Sequence, residues 1–150
     1  MSSPIWTPNE SQIQNANVTR FISYTNQKID IKLSNYWDLH QYSINHSDEF
    51  WRLVADFCGA IGDFSGPVRV GETMLDTKWF PEASLNFAET MLVRRDEADA
   101  IVFRGEDKVE LRLSFGDVYE QVAKVQAHMK GCGVGPGDRV VAFLPNHPAA

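Results

Sequence analysis

Apolar positions recur at helical spacing as far as about residue 92 and then change to β-like runs from about residue 100. Thr7-Pro8-Asn9-Glu10 reads as a helix start, with Thr7 as cap, Pro8 in the first turn and Glu10 completing a capping box. Ile13, Asn17, Arg20, Phe21 and Tyr24 follow on one thin face, which predicts a helix docked weakly or against a partner. Ser34 is placed to cap a short helix carrying Tyr36, Trp37, Leu39 and Gln41. Ser47 is placed to cap a stronger one, with Asp48 and Glu49 where the helix dipole favours carboxylates. Phe50, Trp51, Val54, Phe57, Cys58 and Ile61 form its apolar face, and Gly62 and Gly66-Pro67 end it. Residues 68–75 suggest a short strand, and Ser84 a further helix through Leu85, Ala88, Met91 and Leu92.

Beyond the charged stretch Arg94-Arg95-Asp96-Glu97, residues 100–104 and 109–113 read as strands joined by a hairpin turn at Gly105-Glu106-Asp107-Lys108. Ser114-Phe115-Gly116-Asp117 begins a helix with Val118, Val122, Val125 and Met129 on one stripe, stopped by Gly131 and Gly133. Gly135-Pro136-Gly137-Asp138 predicts a turn. Residues 139–144 follow as a continuously apolar strand, the pattern of a parallel sheet covered on both faces. A parallel strand needs a long crossover, and the sequence ends at Pro148-Ala149-Ala150, where one would begin. The expectation is a domain represented only by its first layers.

Composition narrows the class. With 150 residues, 43% hydrophobic and 23% charged, the chain has the balance of a globular protein. A net charge of −6 with no dense basic cluster argues against nucleic acid or an anionic membrane surface as partner. No apolar run approaches the roughly 20 residues that span a bilayer. The opening Met-Ser-Ser-Pro-Ile-Trp lacks the basic head and apolar stretch of a secretory signal. Cys58 and Cys132 are too few for a disulfide framework or a structural zinc site, so the expected setting is a reduced cytoplasm.

Candidate chemistry is sparse. Gly131, Gly133, Gly135 and Gly137 tempt a phosphate-loop reading, but that loop runs from strand to helix. Here a helix comes first, Pro136 removes an N–H, and no Lys-Ser or Lys-Thr follows. The series reads as a turn. His40, His46, His128 and His147 have no metal-binding spacing with one another or with acids. Asp48-Glu49, Asp96-Glu97-Asp99 and Glu106-Asp107 fit helix starts and turns better than paired catalytic acids. Ser84 and Ser114 read as caps rather than nucleophiles, and both cysteines as buried packing residues. The aromatic set Trp37, Phe50, Trp51, Phe57, Trp79, Phe80 and Phe87 is expected mostly in the core, the rest facing parts of a larger protein.

Two stretches together resemble one family. Trp79-Phe80-Pro81-Glu82-Ala83-Ser84-Leu85-Asn86-Phe87-Ala88-Glu89 resembles the Trp-Phe … Leu-Asn-(Tyr/Phe)-Ala-Glu segment of acyl-CoA synthetases. Residues 113–118, then Gly133-Val134-Gly135-Pro136-Gly137-Asp138-Arg139-Val140 and Leu144-Pro145-Asn146, resemble the start of the large AMP-binding domain of adenylate-forming enzymes. Tyr36-Trp37-Asp38-Leu39, Tyr42-Ser43, Phe50-Trp51 and Pro81 are most similar to the branch of this family that activates acetoacetate. The chain departs from the common pattern at Glu82, Thr90 and Arg94-Arg95-Asp96.

The resemblance implies an α/β fold. A helical N-terminal extension would precede the first hairpin, helix and strand of a truncated adenylate-forming domain. It divides the chain into a helix and linker (1–33), a synthetase extension (34–95) and the beginning of the AMP-binding domain (96–150). It implies Trp79, Phe80, Leu85 and Phe87 as anchors of the extension and Asp138 as a turn-stabilising residue. It further implies an acid–thiol ligase using ATP, CoA and Mg2+, with acetoacetate as its small-molecule carboxylate. The family's phosphate loop, Thr-Glu motif, ribose-binding Asp and catalytic lysine have no counterpart among these 150 residues. No catalytic, cofactor-binding or metal residue is therefore assigned, and the chain alone is expected to be inactive. The alternatives are another short-chain (acetyl or propionyl) acyl-CoA synthetase, or a non-catalytic binding or remnant protein.

Overall fold

The computed structural model describes residues 4–106 and 108–148. Asp107 of the hairpin turn, the opening Met1-Ser2-Ser3 and the final Ala149-Ala150 lie outside the described residues. The chain forms two compact units, Met1–Asn86 and Phe87–Ala150.

In the first unit, Asn9 caps helix α1 (Glu10–Asn15). Its side-chain oxygen accepts from the Gln12 amide and Gln12 Oε1 accepts from the Asn9 amide, both at 2.9 Å. The capping box thus lies two residues beyond the Thr7 position that the sequence suggests, because Asn9 caps well and Gln12 can reach back. The expected single helix breaks at Ala16, whose ψ of 139° leaves the helical region, and α2 (Asn17–Ile29) begins afresh.

Far from docking weakly, α2 supplies buried Phe21 and fully buried Thr25. Helix α3 (Tyr36–Asn45) is capped by Asn35, one residue after Ser34, through bonds from the Trp37 and Asp38 amides. Asp38 in turn accepts from the Ser34 amide at 2.8 Å. Helix α4 (Ser47–Phe57) has His46 at its cap position without a side-chain bond, so Ser47 is the first helical residue rather than the cap.

Phe21, Leu39, Tyr42 and Leu53 form the core where these three helices meet, flanked by Phe50, Val54 and Phe57. The Phe21 ring lies edge-on to Phe50 at 5.6 Å and tilted to Phe57 at 5.1 Å, geometries that aromatic quadrupoles favour. Leu53, absent from the face read out of the sequence, is its buried member, whereas Trp51, Cys58 and Ile61 are exposed. The stripe runs through 50, 53, 54 and 57 and ends with the helix, where Gly59 turns left-handed (φ 66°).

The connector into α3 is held by one side chain. Asn26 Nδ2 donates to the Leu33 carbonyl at 2.9 Å and Asn26 Oδ1 accepts the Leu33 N–H at 2.8 Å, both half-buried. Asn26→Ala is expected to cost about 1–3 kcal/mol by leaving both backbone groups unmatched. Urea melts of the variant check this, with Asn26→Asp falling between the two because it keeps the acceptor alone.

After α4 the chain makes short antiparallel pairings. β1 (Gly62–Asp63) pairs with β4 (Ser84–Leu85), and β2 (Arg69–Val70) with β3 (Lys78–Trp79). The strand expected over 68–75 is therefore two residues long, and Ser84 lies in a strand instead of capping a helix. Gly62 is the reason: a Cβ there would lie 2.6 Å from Leu85 Cβ, so only glycine lets the two backbones meet. Phe80 adopts left-handed backbone (φ 45°), held by its N–H on the Val68 carbonyl and by its ring edge-on to Phe64 at 5.4 Å.

The second unit opens with the short α5 (Phe87–Met91). Strands β5 (Asp99–Gly105) and β6 (Val109–Ser114) form the expected hairpin, with Ile101 opposite Leu113 and Phe103 opposite Leu111. Its inward row is Ile101, Phe103, Leu111 and Leu113, of which Leu113 is buried. Helix α6 (Phe115–Gly131) starts at the Ser114 capping box as read from the sequence. Arg94 lies 4.0 Å over the Phe115 ring and Arg95 3.8 Å over Tyr119. The expected apolar stripe of α6 is only partly covered, since Val118 and Met129 are half-buried while Val122 and Val125 are exposed.

The expected strand over 139–144 is not in a ladder among the described residues, and all six residues are exposed. Its pattern requires cover on both faces, and none of the described residues provides it.

Candidate functional site

The glycine turn is closed largely by its own hydrogen bonds. The Cys132 and Gly133 amides return to the His128 and Lys130 carbonyls at 3.0 Å, and the Val134 amide to Met129 at 3.1 Å. Gly133 (φ 84°) and Gly137 (φ 94°) take the left-handed conformations that let the chain leave the helix and reverse. The Asp138 carboxylate accepts the Gly135 N–H at 2.8 Å, and the Asp138 N–H returns to the Gly135 carbonyl at 3.1 Å. A carboxylate already sits where an anion would have to enter, so these residues do not fit a nucleotide phosphate. The turn-stabilising role read for Asp138 is the one observed.

The remaining candidates separate in space. His46 stacks on Tyr42 at 4.9 Å, and His40 Nδ1 is buried without a hydrogen-bond partner. His128 Nε2 lies 3.7 Å from Cys132 Sγ, a pair one helical turn apart. The i,i+4 spacing would have revealed it, had cysteine been set beside histidine. Both cysteines are exposed, not buried, because each ends a helix beyond the covered part of its face. No group of three His, Cys, Asp or Glu side chains that could hold a metal ion converges among the described residues. Ser114 Oγ accepts the Asp117 amide and donates to the Asp117 carboxylate, which is capping geometry rather than nucleophile activation.

Two polar networks join residues far apart in sequence. The Tyr24 hydroxyl donates to Asp56, and Lys28 Nζ reaches the same carboxylate at 3.4 Å. The Tyr24 bond, then Lys28, holds the Asp56 carboxyl below the usual range. The Tyr42 hydroxyl donates to Glu49 at 2.6 Å, and burial, reinforced by that bond, pushes the Tyr42 hydroxyl well above its ordinary value. A cavity of about 440 Å³ is lined by Ile29, Leu53, Phe64 and Phe80 together with Lys28 and Arg52. Arg52 donates to the Phe64 and Gly66 carbonyls, so its guanidinium already has protein partners. These networks hold helices and connectors together; they pair no nucleophile with a base.

The aromatic set is mostly outside the core. Phe50, Phe57 and Phe80 are half-buried, whereas Trp37, Trp51, Trp79 and Phe87 are exposed, Trp37 and Phe87 by about 70%. Trp51 and Trp79 meet at 5.8 Å, and Arg69 lies 5.8 Å over Trp79 while paired with Asp48 at 2.9 Å. Leu85, the fourth expected anchor, is also exposed.

Several carboxyls carry a pH signature. Asp56, Asp63, Asp76, Asp96 and Asp117 are all held below the usual range, Asp117 by the Ser114 hydroxyl and amide. A lowered folded-state value stabilises the native state above the unfolded carboxyl value of about 3.9. That contribution is lost as pH falls through the lowered values. Thermal melts are expected to hold steady from about pH 7 to 5 and to drop below about pH 4. Asp117→Asn should flatten the acid limb recorded by hydrogen exchange in the first turn of α6.

No helix among the described residues is long and apolar enough to cross a membrane. No protein-family model matches the chain. The acetoacetyl-coenzyme A synthetase of Rhizobium meliloti (strain 1021) is 36% identical over 146 residues, covering 97% of this chain and 22% of the relative. That of Danio rerio is 32% identical with the same coverage of both. A malonamoyl-CoA synthetase of Penicillium aethiopicum is 32% identical over 87% of the chain. The solved acetoacetyl-CoA synthetase of Streptomyces lividans superposes with a TM-score of 0.81 at 31% identity, covering 99% of this chain and 24% of that one. The chain spans about 22% of the length of the first two relatives. Its mixed helix-and-strand fold is that of a portion of such a synthetase. By sequence and by fold the chain is similar to a portion, less than a quarter of the length, of the acetoacetyl-CoA synthetases.

Proposed function

We propose that this chain is the N-terminal part of a ligase joining acetoacetate to CoA in the cytoplasm. The carboxylate attacks the α-phosphorus of ATP to give an acyl-adenylate and pyrophosphate, and the CoA thiol then displaces AMP. The observation that carries this reading is 36% identity extending over 97% of the chain. The 150 residues contribute framework; the phosphate-binding, metal-binding and acyl-binding groups belong to the rest of such a protein, and the chain alone is inactive. The exposed Trp37, Trp51, Trp79 and Phe87 support that assignment, because large rings left in water favour burial against additional protein.

A second reading is a ligase for a different short acid. The malonamoyl-CoA synthetase, 32% identical like the fish acetoacetyl-CoA synthetase though over 87% of the chain rather than 97%, favours it. The test is an immunoprecipitate from source cells, raised with residues 34–95 and assayed for pyrophosphate release with ATP, CoA and a panel of acids. Acetoacetate is expected to give the highest kcat/KM. Faster turnover of acetate, propionate or malonamate selects the second reading, and no release with any acid sinks the ligase assignment.

A further inference from the structure

The cavity of about 440 Å³ in the first unit falls within the size range of small-molecule sites. Six of its ten lining residues are apolar: Ile29, Leu53, Ala55, Ala60, Phe64 and Phe80. The other four are charged, Lys28 and Arg52 against Glu49 and Asp56, so the wall carries no net charge. Lys28 and Asp56 answer one another at 3.4 Å. Arg52 and Glu49 do not. They lie three residues apart on α4, yet neither forms an ion pair among the described residues. Arg52 uses two of its five N–H donors on the neutral Phe64 and Gly66 carbonyls. Glu49 accepts from the neutral Tyr42 hydroxyl through one carboxylate oxygen and has a second. The cavity therefore presents one uncommitted cation and one uncommitted anion beside an apolar surface. A simple anion would meet two carboxylates there, and a simple cation two cationic heads. A molecule carrying one charge of each sign matches both free partners.

We propose that this cavity binds a free apolar amino acid as its zwitterion. The carboxylate takes remaining N–H donors of Arg52, the ammonium donates to Glu49, and the side chain lies against Ile29, Leu53, Phe64 and Phe80. All ten lining residues belong to the first unit, so the site draws on no residue of the second. It is separate from the acid that the ligase reading activates and does not depend on that reading.

The test is calorimetric titration of the chain with leucine and phenylalanine, set against analogues that each lack one feature. Isoamylamine has no carboxylate, isocaproate no ammonium and glycine no apolar side chain. Leucine or phenylalanine is expected to bind one per chain, at least about tenfold more tightly than any of the three analogues. Bound amino acid should slow amide exchange at residues 60–66. Glu49→Gln removes the charge but keeps an oxygen for the Tyr42 hydroxyl, so its thermal midpoint should match the parent while affinity falls at least about tenfold. Because the analogue series is read on the parent chain, it decides the matter even if the variant folds poorly. No binding of either amino acid, isocaproate or isoamylamine binding as tightly as leucine, full affinity in Glu49→Gln, or slowed exchange confined to the second unit each overturns the proposal.

Discussion

Phe21→Ala is expected to lower stability by about 3–5 kcal/mol, the range for removing a buried aromatic ring. Phe21 is 7% exposed and its ring meets those of Tyr24, Phe50 and Phe57, so one side chain ties α2 to α4. Alanine would remove the area and leave a cavity that three helices cannot close together. Domains of this size commonly have only about 5–15 kcal/mol in total, so the loss is a large share. Far-UV circular dichroism through a urea titration reads it as a lower midpoint, whereas a midpoint within experimental error of the parent would show that Phe21 is not the centre of this core. Phe21→Leu separates packing from shape, and it should recover more than half of the loss.

Leu113→Ala ranks second, at about 2–3 kcal/mol, the lower part of the range for leucine truncation. Leu113 is the buried hydrophobic residue recorded among the described residues of the second unit and lies opposite Ile101 in the hairpin. Water already reaches much of this unit's apolar surface, so the cavity is partly filled and the effect falls short of that at Phe21. Amide exchange of β5 and β6 should accelerate while α2 and α4 keep their protection. Acceleration of all four equally would mean that the two units unfold as one.

Local signals were the legible ones. The 109–113 run and the Ser114 capping box carry their own geometry in sequence, and both appear where the pattern places them. Asn9 displaced Thr7 as cap, and Asn35 displaced Ser34, because neighbouring capping residues compete and the better-partnered one wins. Ser84 misled for a different reason: its strand exists only because Gly62, far back in the chain, lets Leu85 approach. The Tyr24–Asp56–Lys28 and Tyr42–Glu49 networks depend on helix packing, which no single window of sequence contains. The expectation that most of the aromatic set lies in the core fell short, with Trp37, Trp51, Trp79 and Phe87 exposed, because hydrophobicity states a need for burial without saying which part of a protein supplies it. The resemblance was legible in short motifs spread along the chain, and it survived those local errors.

The open run at 140–144 also has a consequence for how the protein behaves at high concentration. Five uncharged residues rich in β-formers are the kind of segment that seeds stacked-strand fibrils when left free. Here the run is bracketed by Arg139, whose charge resists stacking, and Pro145, which lacks the N–H that a growing ladder needs. These two residues act as gatekeepers. Replacing Arg139 and Pro145 together, by Ser and Ala, should shorten the thioflavin lag phase severalfold without moving the thermal midpoint. The ends of the run thus set the protein's shelf life.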